Sequence, residues 1–132
     1  MKSYLEKLAK NFTPSIPATH DGIAEAERHF NISFPTDYKE FLLFTNGLEG
    51  EVDDGYLVLW SAKELIELNT TYHVTEFIEQ IIIFGSDGAE EAFAFDISGT
   101  QPSIVKLPFI GMGYIPNEKL ADTFEAFLLQ KI

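Results

Sequence analysis

Between Ile81 and Ile97 the chain reads "IIIFGSDGAEEAFAFDI", two apolar runs around a cluster of turn residues. A continuous apolar run, a Ser-Asp-Gly break and a returning alternation specify a β-hairpin. Helical signals stand on both sides of it. Upstream, "ISFPTDYKEFLLFTNG" places Phe34, Tyr38, Phe41, Leu42 and Thr45 at the spacing that lays one apolar stripe on a core. Pro35 suits the first helical positions, where a missing N–H costs little, and Asn46-Gly47 predicts a left-handed stop. Downstream, Leu120, Phe124, Phe127 and Leu128 predict a closing helix, with Asn117 as its cap. Helical and strand periods thus stand in one chain, a mixed organisation.

The remaining segments fill in around that frame. Tyr4, Leu5, Leu8 and Phe12 predict a short opening helix, followed by a Pro-containing connector over 13–22. Ile23, Ala26 and Phe30 predict a second helix, capped by Thr19 or Asp21. "LEGEVDDGY" reads as an acidic loop leading into a strand, "YLVLW", that ends at Trp60. Ser61 and Glu64 stand in the S-x-x-E relation of a capping box, so a helix carrying Leu65, Ile66 and Leu68 inward is expected there. "SIVKLP" predicts a further strand, with Pro102 and Pro108 confined to its ends or to a sheet edge. At 132 residues, 45% of them hydrophobic, and with 12 Phe and 5 Tyr, the chain has the apolar content for one domain over 1–132. The absence of Cys removes disulfides, thiol catalysis and Cys-ligated zinc, and it suits the cytoplasm. No apolar run approaches the roughly 18 residues of a membrane span, and the start lacks a signal-peptide core. The mature chain is therefore expected to begin at or near Met1.

Charge is the strongest functional signal. The formal net charge is −12, and from Glu49 to Asp96 there are 12 acids against one base, Lys63, so that segment alone carries −11. The other residues hold 9 acids and 8 bases. A polyphosphate backbone needs Lys and Arg, so direct nucleic-acid binding is disfavoured; an acidic face steers basic proteins instead. From charge alone, a solvated face that keeps the chain soluble is the simpler account.

Searches for chemistry return negatives. "GSDG" over 85–88 is one residue short of a nucleophile elbow and lies in a hairpin. "GMGYIP" from Gly111 lacks the third glycine of a dinucleotide fingerprint, so backbone turning is the better reason for Gly111 and Gly113. Aligning Glu49 with the first position of an EF-hand loop puts Asp54 where Gly belongs and Trp60 where the bidentate Glu belongs. His20, His29 and His73 show no metal-ligand spacing. Glu90 and Glu91 are expected on the turn, exposed, and Trp60 is expected in the core. No catalytic residue, cofactor or metal is assigned, and an enzyme would need a concave site with a strongly shifted carboxyl.

The order of the pieces resembles the SUKH superfamily, which includes cell-wall assembly regulators and bacterial immunity proteins. The resemblance covers about 23–132. It rests on "IAEAERHFNISFPTDYKEFLLFTNG", where Glu27, the Phe34-Pro35 pair, Tyr38 and Asn46-Gly47 fill the family's places, then on Trp60, and on Gly85, Asp87, Gly88 and Asp96 around the hairpin. Phe34 stands where Leu is commoner. The resemblance implies an α+β domain with helices around a mostly antiparallel sheet, without a catalytic centre, that binds proteins. In the bacterial branch it implies an immunity protein that neutralises a polymorphic or contact-dependent toxin by binding its toxic domain; a basic nuclease domain would suit the charge. A regulatory or scaffold module of the cell-wall type is the alternative. Binding then falls on Glu49, Glu51, Asp53 and Asp54, joined by Asp87, Glu90 and Glu91 if hairpin and loop share a rim. Glu27, Pro35, Tyr38, Asn46, Gly47, Trp60, Gly85, Gly88 and Asp96 are expected to be structural.

Overall fold

The computed structural model describes residues 2–132; the expected start, Met1, lies outside them. Three helices come first, α1 (Ser3–Asn11), α2 (His20–Phe30) and α3 (Thr36–Phe44). A hairpin of β1 (Leu48–Val52) and β2 (Gly55–Leu59) leads to α4 (Ala62–Thr71) and the single-turn α5 (Val74–Phe77). Then follow β3 (Ile81–Ser86), β4 (Glu91–Asp96), β5 (Ser103–Pro108), β6 (Glu118–Ala121) and the closing α6 (Phe124–Lys131). The strands form one antiparallel meander in the order β1-β2-β3-β4-β5-β6, so the α+β expectation stands.

Register decides which side chains share a face. Ile82, Phe95 and Ile104 pair across β3, β4 and β5, with Phe93 two residues from Phe95 on the same face. Against this face Tyr38 of α3 packs edge-on to Phe95 at 4.9 Å and to Phe124 of α6 at 4.8 Å, while Phe127 meets Phe93 at 5.0 Å. Phe84 joins the cluster 4.7 Å from Phe95. Each such aromatic pair adds about 0.5–1.5 kcal/mol to the area it buries. The opposite face, with Ile83, Ala94 and Val105 in one row and Ala92 beside Leu107 in another, is also buried, and α4 and α5 contact β3.

Three expectations need correction. The acidic loop is a strand: Glu49 pairs with Val58 and Glu51 with Tyr56, leaving Asp53-Asp54 as a two-residue turn. The partner strand and the packing of the Phe12 ring on Gly50 hold in place a segment whose own residues are poor strand formers. The expected stop of α3 is absent. Thr45 is already extended, and Asn46 is not left-handed; the turn falls to Gly47 alone, at φ +88°, where a Cβ would sit 2.7 Å from the Leu59 carbonyl oxygen. Leu120 belongs to β6, not to the closing helix, which starts at Phe124 under a Thr123 cap whose hydroxyl accepts from the Ala126 N–H at 3.1 Å. Pro108 sits at the end of β5, as expected of a proline in a strand that β6 makes interior. The capping box at Ser61 forms as expected, with both reciprocal bonds present.

Candidate functional site

Residues expected to be structural are committed to the fold. The Glu27 carboxylate accepts from the Phe34 N–H at 2.7 Å and lies 3.7 Å from the Lys39 ammonium, tying α2 to the start of α3. Pro35 stands at the N-cap of α3. Tyr38 is buried at the centre of the aromatic cluster, and burial pushes its phenol far above the ordinary value. Asn46 Oδ1 accepts from the Ala62 N–H at 2.9 Å, so the chain leaving α3 also caps α4. The Trp60 N–H donates to the Phe84 carbonyl at 2.9 Å, and its ring, 5% exposed, stacks 6.2 Å from Tyr72. Gly85 stands where the β3–β4 register shifts, and a Cβ there would run into the Val58 carbonyl. Asp96 accepts from the Ser98 N–H and hydroxyl, closing the turn after β4.

The acidic residues occupy the sheet edge. Leu48, Leu57 and Leu59 turn inward with Gly50, so Glu49, Glu51, Tyr56 and Val58 share the opposite face of the hairpin, where the two glutamates and Tyr56 are exposed. Asp53 and Asp54 are exposed at its tip. Only Val58 and Leu59 pair with β3, so the outer half of the hairpin projects beyond the sheet. The Tyr56 hydroxyl donates to Glu49 Oε2 at 2.8 Å, and that bond, ahead of the surrounding carboxylates, raises the phenol's pKa.

Hairpin and turn do share a rim. Gly88 lies against the Tyr56 ring, close enough that a Cβ would come within 2.9 Å of it. The expected group nevertheless divides. Asp87 is spent within the turn, its Oδ1 accepting from the N–H groups of Ala89 and Glu91 at 2.9 and 3.2 Å. Glu90 is exposed on the turn, whereas Glu91 is the first residue of β4 and partly buried. The register turns Glu91 to the Phe93 face, away from Glu49 and Glu51. There Lys106, 3.1 Å from Glu118, has its pKa raised first by that partner and secondarily by Glu91 and Asp87.

A second feature of this surface escaped the sequence. Phe109 follows β5, donates its N–H to the Glu90 carbonyl at 3.0 Å, and packs 4.8 Å from Tyr72. Beyond it, Ile110 and Tyr114 project into solvent at 88% and 86% exposure. The apolar string "FIGMGYIP" carried the signal, but its composition is equally that of a core segment. Elsewhere, a cleft of about 580 Å³ lies at the far ends of β4 and β5, with Asp37, Asp96 and Lys119 in its wall. Its carboxylates are structural: Asp37 alone accepts from the Tyr38 and Glu125 N–H groups at 2.8 and 2.9 Å. Among the described residues no three His, Asp or Glu side chains converge as metal ligands would, and no helix is long and apolar enough to cross a membrane.

Comparison with known proteins agrees with the arrangement of these elements. Residues 17–130 match the sequence profile of the SMI1/KNR4 family (SUKH-1). The chain is also similar to "Uncharacterized protein YnaB" of Bacillus subtilis (strain 168), 39% identical over 69 residues, which is 52% of this chain and 44% of the relative. The match thus spans less than half of that protein's length.

Proposed function

The chain belongs to the SMI1/KNR4 family (SUKH-1), and we propose that within it this protein is a bacterial immunity protein. It works in the cytoplasm, without catalysis of its own, by binding the toxic domain of a polymorphic or contact-dependent toxin. The observation that carries this reading is the projecting edge hairpin. Its outward face and tip present Glu49, Glu51, Asp53 and Asp54, and the surface continues across Tyr56 to the turn bearing Glu90. A dense carboxylate array of this kind suits a basic partner, such as a nuclease whose substrate groove it would fill in place of phosphates. Fields of this sort raise association rates by about 10–10³-fold at low salt.

The test is capture of the tagged full chain from its native cells at low and high salt, followed by co-expression with the captured protein. A basic partner whose expression stops growth, with growth restored by this protein, is the expected result. The combined variant Glu49→Lys, Glu51→Lys, Asp53→Lys and Asp54→Lys should associate about tenfold or more slowly at low salt and lose most of its salt dependence. Identical low-salt rates for variant and native chain would end the steering argument. A captured partner that is harmless when expressed alone would end the immunity assignment.

A further inference from the structure

Five large apolar side chains, Tyr72, Phe77, Ile110, Tyr114 and Ile115, are exposed by between 42% and 88%. They belong to the end of α4, to α5 and to the β5–β6 connection. Contacts hold these segments together: Phe109 lies on Tyr72, and Gly113 lies so close to the Phe77 carbonyl that a Cβ would clash with it. The connection is also closed on itself. Tyr114 and Ile115 both donate their N–H groups to the Gly111 carbonyl, at 2.9 and 3.0 Å, while Met112, the residue after Gly111, is buried to 3% exposure. Ile110 and Tyr114 therefore stand on an anchored turn, which lowers the ordering cost of using them in a contact.

The apolar patch is continuous with the acidic rim. Phe109 is bonded to Glu90 on the same turn whose Gly88 lies against Tyr56, and Tyr56 is bonded to Glu49. On the other side stand Glu76 in α5 and Glu79 just after it, both exposed. Between Lys63 and Lys106 the sequence holds no Lys or Arg, and Lys106 is engaged with Glu118. An apolar centre with a charged margin is the anatomy of a protein interface, where a few large side chains at the centre carry most of the energy.

We propose that this patch is the apolar centre of the partner interface, and that its occupant is a protein surface with an apolar anchor surrounded by Lys and Arg. The inference rests on the protein-binding reading above and specifies where the partner's anchor docks. Charge selects this occupant over the alternatives. Two copies of the chain docked patch to patch would bring carboxylate rims together, each molecule carrying a formal −12, and an anionic bilayer would meet the same repulsion.

The probes are two synthetic helical peptides of equal length and equal lysine count, one with leucines on the second face and the other with serines. Each is titrated by calorimetry at low salt into the full chain and into the double variant Ile110→Ser, Tyr114→Ser. Both replaced side chains are exposed, so the variant's thermal melt should match the native chain's. The leucine peptide is expected to bind the native chain about tenfold or more tightly than the serine peptide, with the advantage lost in the variant and the serine peptide unaffected. Equal binding of the two peptides, or an advantage that survives in the variant, would overturn the apolar centre while leaving the basic partner intact. Binding of neither peptide would remove the basic-partner reading and this inference together. A dimer in sedimentation that the variant abolishes, or flotation with phosphatidylcholine vesicles, would reassign the patch and overturn the proposal.

Discussion

Asn69 offers the sharpest test of how the sheet is held, because one side chain there replaces a missing strand. At the β3 bulge its Oδ1 accepts from the Ile83 N–H at 3.0 Å, while its Nδ2 donates to the carbonyls of Ile83 and Leu65 at 2.8 and 2.7 Å. Asn69 is 7% exposed and Ile83 fully buried, so water cannot readily take over. Asn69→Ala would orphan the N–H and the carbonyl of Ile83, whereas Leu65 keeps its helical bond. At about 1–3 kcal/mol for each buried unsatisfied group, the expected loss is about 4 kcal/mol, a large part of the roughly 5–15 kcal/mol that holds a domain together. Urea melts at neutral pH would read this as a lower midpoint with an unchanged slope. The control is Thr70→Ala, one residue along and exposed, expected within about 0.5 kcal/mol of native. A loss below about 1 kcal/mol for Asn69→Ala would refute the reasoning, since the bonds would then have ready replacements.

Other consequences follow from single contacts. The Tyr38 hydroxyl is buried with no hydrogen-bond partner among the described residues, so Tyr38→Phe should leave stability at pH 7 unchanged or raise it by about 1–2 kcal/mol in a thermal melt. Burial raises the folded-state pKa of this phenol, so its contribution is complete below the unfolded value near 10 and is lost as pH rises from there through the folded value. Native stability should therefore fall by about 1.4 kcal/mol per pH unit above 10 on account of Tyr38, and denaturant melts that show the same alkaline slope in Tyr38→Phe would contradict the assignment. Gly47→Ala must fit a Cβ against the Leu59 carbonyl at a left-handed φ, and should cost about 2 kcal/mol or more; Gly99→Ala, with its nearest neighbour 3.8 Å away, should be close to neutral in the same calorimetric scan.

Legibility followed the strength of local patterning. The stripe of α3, the Ser61 capping box and the β3–β4 hairpin were readable because periodicity and turn chemistry agreed there. β1 was not, since Glu49, Gly50 and Glu51 are poor strand formers and owe their extended state to β2 and to Phe12, neither visible within a local window. β6 was hidden because Leu120 falls in helical phase with Phe124. In the candidate surface, charge was visible in the sequence as an excess of carboxylates. Its apolar half was not, because Ile110 and Tyr114 look like core residues until the fold shows that Met112 alone of this turn is buried deep.

The β1–β2 hairpin separates two tasks residue by residue. Leu48, Gly50, Leu57 and Leu59 answer to the core, while Glu51 and the Asp53-Asp54 tip face solvent, as does Glu49, bonded there by the Tyr56 hydroxyl. Every second position along β1 can therefore change its charge or size without opening a void. The outer face of this hairpin can thus be varied one residue at a time while the interior packing stays as it is.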